Sequence, residues 1–312
     1  MKPAIYVGID TSCYTTSLAA CTFAGDICLF KKLMLPVGEN EKGIRQSDAV
    51  FAHIKNLQTL LADTRLGELG EIKAVAASCA PRPVEGSYMP VFMVSKTVGM
   101  AFASSAGAQF IESTHQHAHI YAALIGQNLE PPFLAAHLSG GTSEILRVDE
   151  LAPNSGITIL GATKDIPAGQ LVDRIGNKLG FRFPCGPYVE DCAKEANGTL
   201  MFKTSVDGTI FNFSGVEAQA MRALDAGSSA AEVTHAAQAA IAKTIAEALV
   251  AAGRQTGIKT ALLFGGVICN AMIKDVIADK LRENGMEARF ADKQYSADNA
   301  AGLARMARKN AK

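Results

Sequence analysis

The chain has 312 residues, more than one compact core of ordinary size holds, so two lobes are expected. Hydrophobic residues make up 48% and charged residues 19%, an ordinary soluble α/β composition that excludes disordered and fibrous classes. Thirty basic residues cancel thirty acidic ones, so no strongly basic nucleic-acid surface shows in the totals.

The opening MKPAIYVGIDTS turns polar after a short apolar run, unlike a secretory signal, and no apolar run reaches the roughly 18 residues of a membrane span. Seven scattered cysteines with no Cys-x-x-Cys pair predict reduced thiols in a cytoplasmic protein. Residues 4–10, 15–23 and 26–35 read as an antiparallel meander whose first turn is Asp10-Thr11-Ser12-Cys13. There Asp10 suits a cation, and small hydroxyl residues such as Ser12 leave backbone N–H groups free for phosphate. An ordinary Asp/Ser/Thr hairpin has the same composition. Cys13 reads as a small turn residue, not a nucleophile. A helix follows from about Ser47, its N-cap, to Ala62, with Val50, Ile54, Leu57, Leu60 and Leu61 at helical spacing. Then come a strand at 72–78, a helix at 90–107 and a strand at 108–113.

Three of the six histidines, His115, His117 and His119, alternate in the stretch STHQHAHIYAA. On a helix His115 and His119 share one face, the spacing with which two imidazoles grip one metal ion, while His117 points roughly 200° away toward the surface or behind the ligands. On a strand all three share a face, but the following IYAALIG favours the helix. A purely structural histidine pair has the same spacing. No glutamate follows the first histidine, which excludes the His-Glu-x-x-His of a zinc peptidase. Asp298, in YSADNAAG, is the candidate third ligand, although an N-cap for the last helix suits it equally.

A second cycle begins near Pro131. Residues 132–148 read as strand, Gly-Gly turn, strand; 156–161 is a strand; helices are expected at about 168–180, 188–196 and 229–253. A strand then runs into Gly265-Gly266 and a helix with Asn270 in its first turn, followed by a strand at 287–291 and a closing helix. The turn Ser139-Gly140-Gly141-Thr142-Ser143 combines hydroxyl donors with room for close backbone approach. Gly265-Gly266 lies where a strand end meets a helix start, a place where ligands gather. Neither is a P-loop. Asp173, in the amphipathic run Leu171, Val172, Ile175, Leu179, suits both hydroxyls of a ribose or a surface pair with Arg174 or Lys178. The repeated pattern predicts two similar α/β lobes, 1–130 and 131–297, with a nucleotide cleft between them and the closing helix 298–312 returning to the first.

In order and spacing, GIDTSC, THQHAH, LSGG, LVDRIGNKLGFRFPCGP, FNFSG, GGVICN and SADNAAG resemble the motifs of the TsaD family of tRNA threonylcarbamoyladenosine synthases over nearly the whole chain. The resemblance implies the two-lobe fold of the actin, sugar kinase and Hsp70-like superfamily. It implies transfer of a threonylcarbamoyl group from threonylcarbamoyl-AMP to the exocyclic amine of a tRNA adenosine. It places one divalent metal, iron or zinc, on His115, His119 and Asp298. An adenine nucleotide (threonylcarbamoyl-AMP, ATP or AMP), with Mg as companion cation, would meet Ser139, Gly140, Gly141, Asp173, Gly186, Gly265, Gly266 and Asn270. Asp10 and Ser12 would serve the catalytic end. The implied partners are tRNA, the helper proteins of that pathway or a homologous subunit, and a second copy of the chain.

Three places depart from the family pattern. Tyr14-Thr15 stand for Asp-Glu after TSC, Thr142-Ser143 for a His-containing triplet after SGG, and CAPRPVEGSYMP (79–90) for a Gly-Pro-Gly turn. They mark a divergent paralogue and keep two other readings open: a nucleotide- and metal-binding assembly or regulatory partner without transferase activity, and a small-substrate kinase or ATPase.

Overall fold

The computed structural model describes residues 2–12, 14–35, 44–62 and 64–312; the reading of Cys13 lies outside them. The chain divides into two compact units, the first made of Met1–Leu129, Leu151–Gly156 and Ala297–Lys312, the second of Glu130–Glu150 and Ile157–Ser296.

In the first unit β1 (Ala4–Thr11), β2 (Thr15–Thr22) and β3 (Ile27–Met34) form an antiparallel meander. Helices α1 (Gln46–Ala62) and α2 (Leu66–Leu69) lead to β4 (Glu71–Ala80), then α3 (Phe92–Ala106), β5 (Gln109–Thr114) and α4 (His115–Ala123). Strands β4 and β5 add in parallel, giving the order β3-β2-β1-β4-β5. Because side chains alternate along a strand, Ile5, Val7 and Ile9 enter one apolar cluster with Leu57 and Leu60 of α1 and Val94 and Ala103 of α3. Gly8 faces the other way.

Two expectations for α1 need correcting. The helix begins at Gln46, so Ser47 sits inside its first turn and is not the N-cap. Its buried line is Ala49, His53, Leu57 and Leu60, while Ile54 is exposed. A histidine displaces the isoleucine from the core because its Nδ1 finds the Thr16 hydroxyl at 2.8 Å, which satisfies a buried polar atom.

The second unit repeats the plan with β6 (Phe133–Leu138), β7 (Ser143–Val148) and β8 (Ile157–Ala162) antiparallel. Then follow α5 (Ala168–Lys178), α6 (Gly186–Ala193), the hairpin β9 (Ser205–Asp207) and β10 (Ile210–Asn212), α7 (Ser214–Asp225) and α8 (Ala230–Thr256). Strand β11 (Thr260–Phe264), a 3₁₀ turn at Gly266–Cys269, α9 (Ala271–Glu283), β12 (Glu287–Phe290) and α10 (Lys293–Ser296) complete it. The order β12-β11-β6-β7-β8 has the connectivity of the first sheet. Residues 197–228 carry the FNFSG motif but no secondary-structure expectation, yet they hold β9, β10 and α7. Three-residue strands are too short to show alternation, and α7 buries only Val216 and Ala220. Glu232, on the first turn of α8, ties this region down by accepting the backbone N–H groups of Asn197, Gly198, Thr199 and Leu200.

The C-terminal helix spans Ala301–Asn310, shorter than expected, and belongs to the first unit. Its N-cap is Ala300, and Asn299 Oδ1 accepts the N–H of Ala301. Asp298 is therefore not the cap, and its carboxylate is released from that role. The helix buries Leu303 and Met306 fully, each contributing about 1.5–3 kcal/mol. It approaches backbone to backbone at two glycines. A Cβ on Gly302 would lie 1.9 Å from the Ala118 carbonyl of α4, and one on Gly8 would lie 2.3 Å from the Ala300 carbonyl.

Gly302→Ala should accordingly cost about 1–3 kcal/mol through forced separation of α4 and the C-terminal helix, read as a lowered urea midpoint; an unchanged midpoint would show that the contact yields freely. Burial pushes the His53 imidazole below its ordinary value of 6.5, more than the nearby Asp10 charge and Ser12 carbonyl hold it up. The unfolded chain then binds the proton more readily, so His53 contributes stability that is complete above about pH 6.5 and is lost as pH falls through the folded value. Urea titrations at pH 7.5 and 5.5 should show a smaller loss for His53→Gln than for the parent chain, and equal losses would assign the effect elsewhere.

Candidate functional site

Strand β5 ends at Thr114, whose Oγ1 accepts the His117 N–H and starts α4 at His115. The helix places His115 and His119 one turn apart with their rings edge to face, centroids 4.4 Å apart. His117 does not reach the surface. It is buried, with Nδ1 2.7 Å from Thr114 Oγ1 and Nε2 donating to the Ser155 carbonyl, so it anchors the 151–156 crossing.

The closing segment carries Asp298 to this face. Asp298 Oδ1 lies 3.1 Å from His119 Nε2 and 3.4 Å from His115 Nε2, and the two Nε2 atoms are 3.0 Å apart. Among the described residues this is the one group of three or more His, Cys, Asp or Glu side chains disposed to hold a metal ion. With metal–nitrogen bonds of about 2.0–2.1 Å, ligand atoms stand about 3.3–3.4 Å apart around a tetrahedral ion and about 2.8–3.0 Å apart in cis positions of an octahedral one. The observed edges span that range, and two imidazoles with one carboxylate are a donor set for zinc or non-haem iron. The residues fit a divalent metal.

Electrostatics separates the two histidines. Burial pushes His115 down, but the Asp10 and Asp298 carboxylates outweigh it and hold this imidazole well above the ordinary range. Burial and the neighbouring His115 charge push His119 down. Burial alone would raise Asp298, yet hydrogen bonds from both histidines hold its carboxyl well below the usual range.

Asp10, at the end of β1, is fully buried; its Oδ1 receives Ser78 Oγ at 2.5 Å and lies 3.1 Å from His115 Nδ1. Ser12 Oγ donates to Asp298 Oδ2 at 3.1 Å. The sequence reading missed Ser78, although a serine closing the apolar run of β4 is a detectable signal. All these side chains belong to the first unit.

The remaining expected residues lie in the second unit, where Ser139–Gly141 and Gly265–Gly266 follow the carboxyl ends of the parallel neighbours β6 and β11. Ser139 closes a tight turn, its N–H donating to the Thr142 carbonyl and its Oγ accepting the Thr142 N–H. Helix α5 starts against this turn, with Ala168 N donating to Ser143 Oγ and Gly169 N to the Ser139 carbonyl. Gly265 is glycine for conformational reasons, at φ 105° with a would-be Cβ 2.1 Å from the Leu138 carbonyl. Gly140, Gly141, Gly186 and Gly266 have neither positive φ nor any described atom within 4 Å of a would-be Cβ. Neither their own backbone nor packing explains their identity.

Asp173 forms no ion pair with Arg174 or Lys178, which pair instead with Glu217 and Asp225. Its Oδ1 accepts the Cys185 N–H at 2.9 Å and so braces the turn into α6 and Gly186; burial raises its carboxyl against that bond. Asn270 caps α9 through Ile273 N, donates to Gln238 Oε1, and shares the helix start with Glu190, which accepts the Ala271 N–H.

The family described as tRNA N6-adenosine threonylcarbamoyltransferase (TsaD) matches residues 39–305. A protein of that name from Thermus thermophilus is 31% identical over 97% of this chain and 91% of its own length. Among solved structures, HypF in a phosphate- and nucleotide-bound form aligns with a TM-score of 0.64 at 14% identity, over 96% of this chain and 46% of that one. The ADPNP-bound activator of 2-hydroxyisocaproyl-CoA dehydratase from Clostridium difficile aligns with a TM-score of 0.58 at 13% identity, over 98% and 95%. At these identities the structures establish the fold alone, an α/β fold with two mixed five-stranded sheets.

The double substitution His115→Ala, His119→Ala should leave the circular dichroism spectrum intact and remove stoichiometric metal, measured by mass spectrometry of the purified protein. One ion per chain in the double variant would remove the ligand assignment.

Proposed function

The chain belongs to the TsaD family, and from that membership we propose that it transfers a threonylcarbamoyl group from threonylcarbamoyl-AMP to the exocyclic amine of a tRNA adenosine. The observation that carries the reading is the convergence of His115, His119 and Asp298, whose ligand atoms lie within 4.8 Å of one another. In the reaction the adenosine nitrogen forms a bond to the carbamoyl carbon, the bond from that carbon to the phosphate oxygen breaks, AMP leaves with the electron pair, and the amine loses one proton. AMP is already a good leaving group, so no side-chain nucleophile is needed. Positioning of the reactants contributes roughly 7–11 kcal/mol.

In the first unit, His115, His119 and Asp298 would hold one divalent metal, iron or zinc, which would supply Lewis acidity for polarising a carbonyl. In the second unit, Ser139 and the glycines at 140, 141, 186 and 266 let the adenylate approach the backbone closely, which accounts for glycine where the fold does not require it. Asp173 takes the ribose hydroxyls through its second oxygen, and Asn270 holds the start of α9 beside the base. The tRNA is the acceptor, Mg accompanies free ATP, and a helper protein or homologous subunit of the same pathway completes the machinery in the cytoplasm. No described helix is long and apolar enough to cross a membrane.

Purified chain, threonylcarbamoyl-AMP and unmodified tRNA, with and without the family's helper proteins, should yield the modified adenosine by nucleoside mass spectrometry. Adenylate binding without modification of any tRNA in every combination would overturn the transferase reading and leave an assembly role.

A further inference from the structure

We propose that Asp10 and Ser12 are positioning residues for the metal centre, acting through His115 and Asp298 and not on the substrate. The inference rests on the metal reading above and deepens it. Asp10 lies at the end of β1 and Ser12 is the first residue past its last position, Thr11. Both are buried, at 0% and 1% exposure, behind the ligand atoms.

Each acts on one ligand at the atom facing away from the other two. His115 Nδ1 lies 3.1 Å from Asp10 Oδ1, an acceptor placed for an Nδ1 proton. A metal-bound His115 would keep its proton there and offer the lone pair of Nε2, the nitrogen that faces His119 and Asp298. Ser12 Oγ, 3.1 Å from Asp298 Oδ2, engages one carboxylate oxygen and turns the other, Oδ1, toward both imidazoles. Such outer hydrogen bonds orient ligands and raise their basicity.

Asp10 is itself held. Ser78 Oγ of β4 donates to it at 2.5 Å, Ser95 Oγ of α3 donates to the Ser78 carbonyl, and Thr11 Oγ1 donates to Ser95 Oγ at 2.9 Å. The relay pins one imidazole to the sheet.

A buried polar atom is costly unless compensated, and Asp10 Oδ2 has no hydrogen-bond partner among the described residues.

The test uses the full chain stripped of metal by a chelator and titrated with Co²⁺, with affinity from competition against a chromophoric chelator and geometry from the visible d–d bands. Asp10→Ala should weaken Co²⁺ binding about 10–100-fold and change the spectrum, as expected for loss of an outer ligand partner. Asp10→Asn keeps an acceptor oxygen without the charge and should fall between. Ser12→Ala should shift the spectrum, and Ser12→Thr should restore it. Circular dichroism reports folding for each variant. If the parent chain binds no Co²⁺, or the His115→Ala, His119→Ala double variant binds it equally, the metal reading itself fails. If the parent binds and the double variant does not, but the Asp10 and Ser12 variants match the parent in affinity and spectrum, the positioning role is overturned. Weakened binding that only tracks lost helix content, with the spectrum of the bound fraction unchanged, overturns it as well.

Discussion

The metal face of the first unit depends on one close approach. The C-terminal helix reaches α4 and β1 because Gly302 and Gly8 present no Cβ where the Ala118 and Ala300 carbonyls pass. Leu303 and Met306 add the apolar burial that holds the helix down. This contact brings Asp298, 179 residues away in sequence, to 3.1 Å from His119. A larger side chain at either glycine would move the carboxylate by more than a ligand bond tolerates.

That arrangement is electrostatically expensive and the chain meets the cost locally. Asp10, His119 and most of His115 are removed from water, where an unpaired charge would be strongly unfavourable. Each is instead tied to another member of the group or to a serine just past β1 or in β4. Stability at this place is spent on order: the side chains are held in one arrangement at the junction of a strand end, a helix start and the returning terminus.

The second unit solves a different problem with the same sheet order. It carries glycines of two kinds. Gly265 and Gly169 are small because backbone from the SGG turn or its preceding strand presses on them. Gly140, Gly141, Gly186 and Gly266 lie under open space with ordinary backbone angles. Sequence alone cannot separate these classes, since a Gly-Gly pair looks the same in both. Asn270 teaches a similar lesson: a residue read as pocket lining is also fully used as a helix cap and a bridge to Gln238.

The periodic, apolar elements were legible from sequence alone: the two meanders, the long helices, and a helix that sets His115 and His119 on one face. Local physics decides these, because alternation and helical spacing act within a few residues of each other. The family was legible too, since the order of seven motifs survives divergence at Tyr14-Thr15 and at 79–90. Tertiary structure decided what proximity across the chain determines. It buried His53 in place of Ile54, turned His117 inward onto Ser155, passed the capping role from Asp298 to Ala300 and Asn299, and put Asp10 behind His115. Each of these depends on a partner dozens to hundreds of residues away or on competition among neighbouring side chains for one atom, and no local pattern encodes which partner wins.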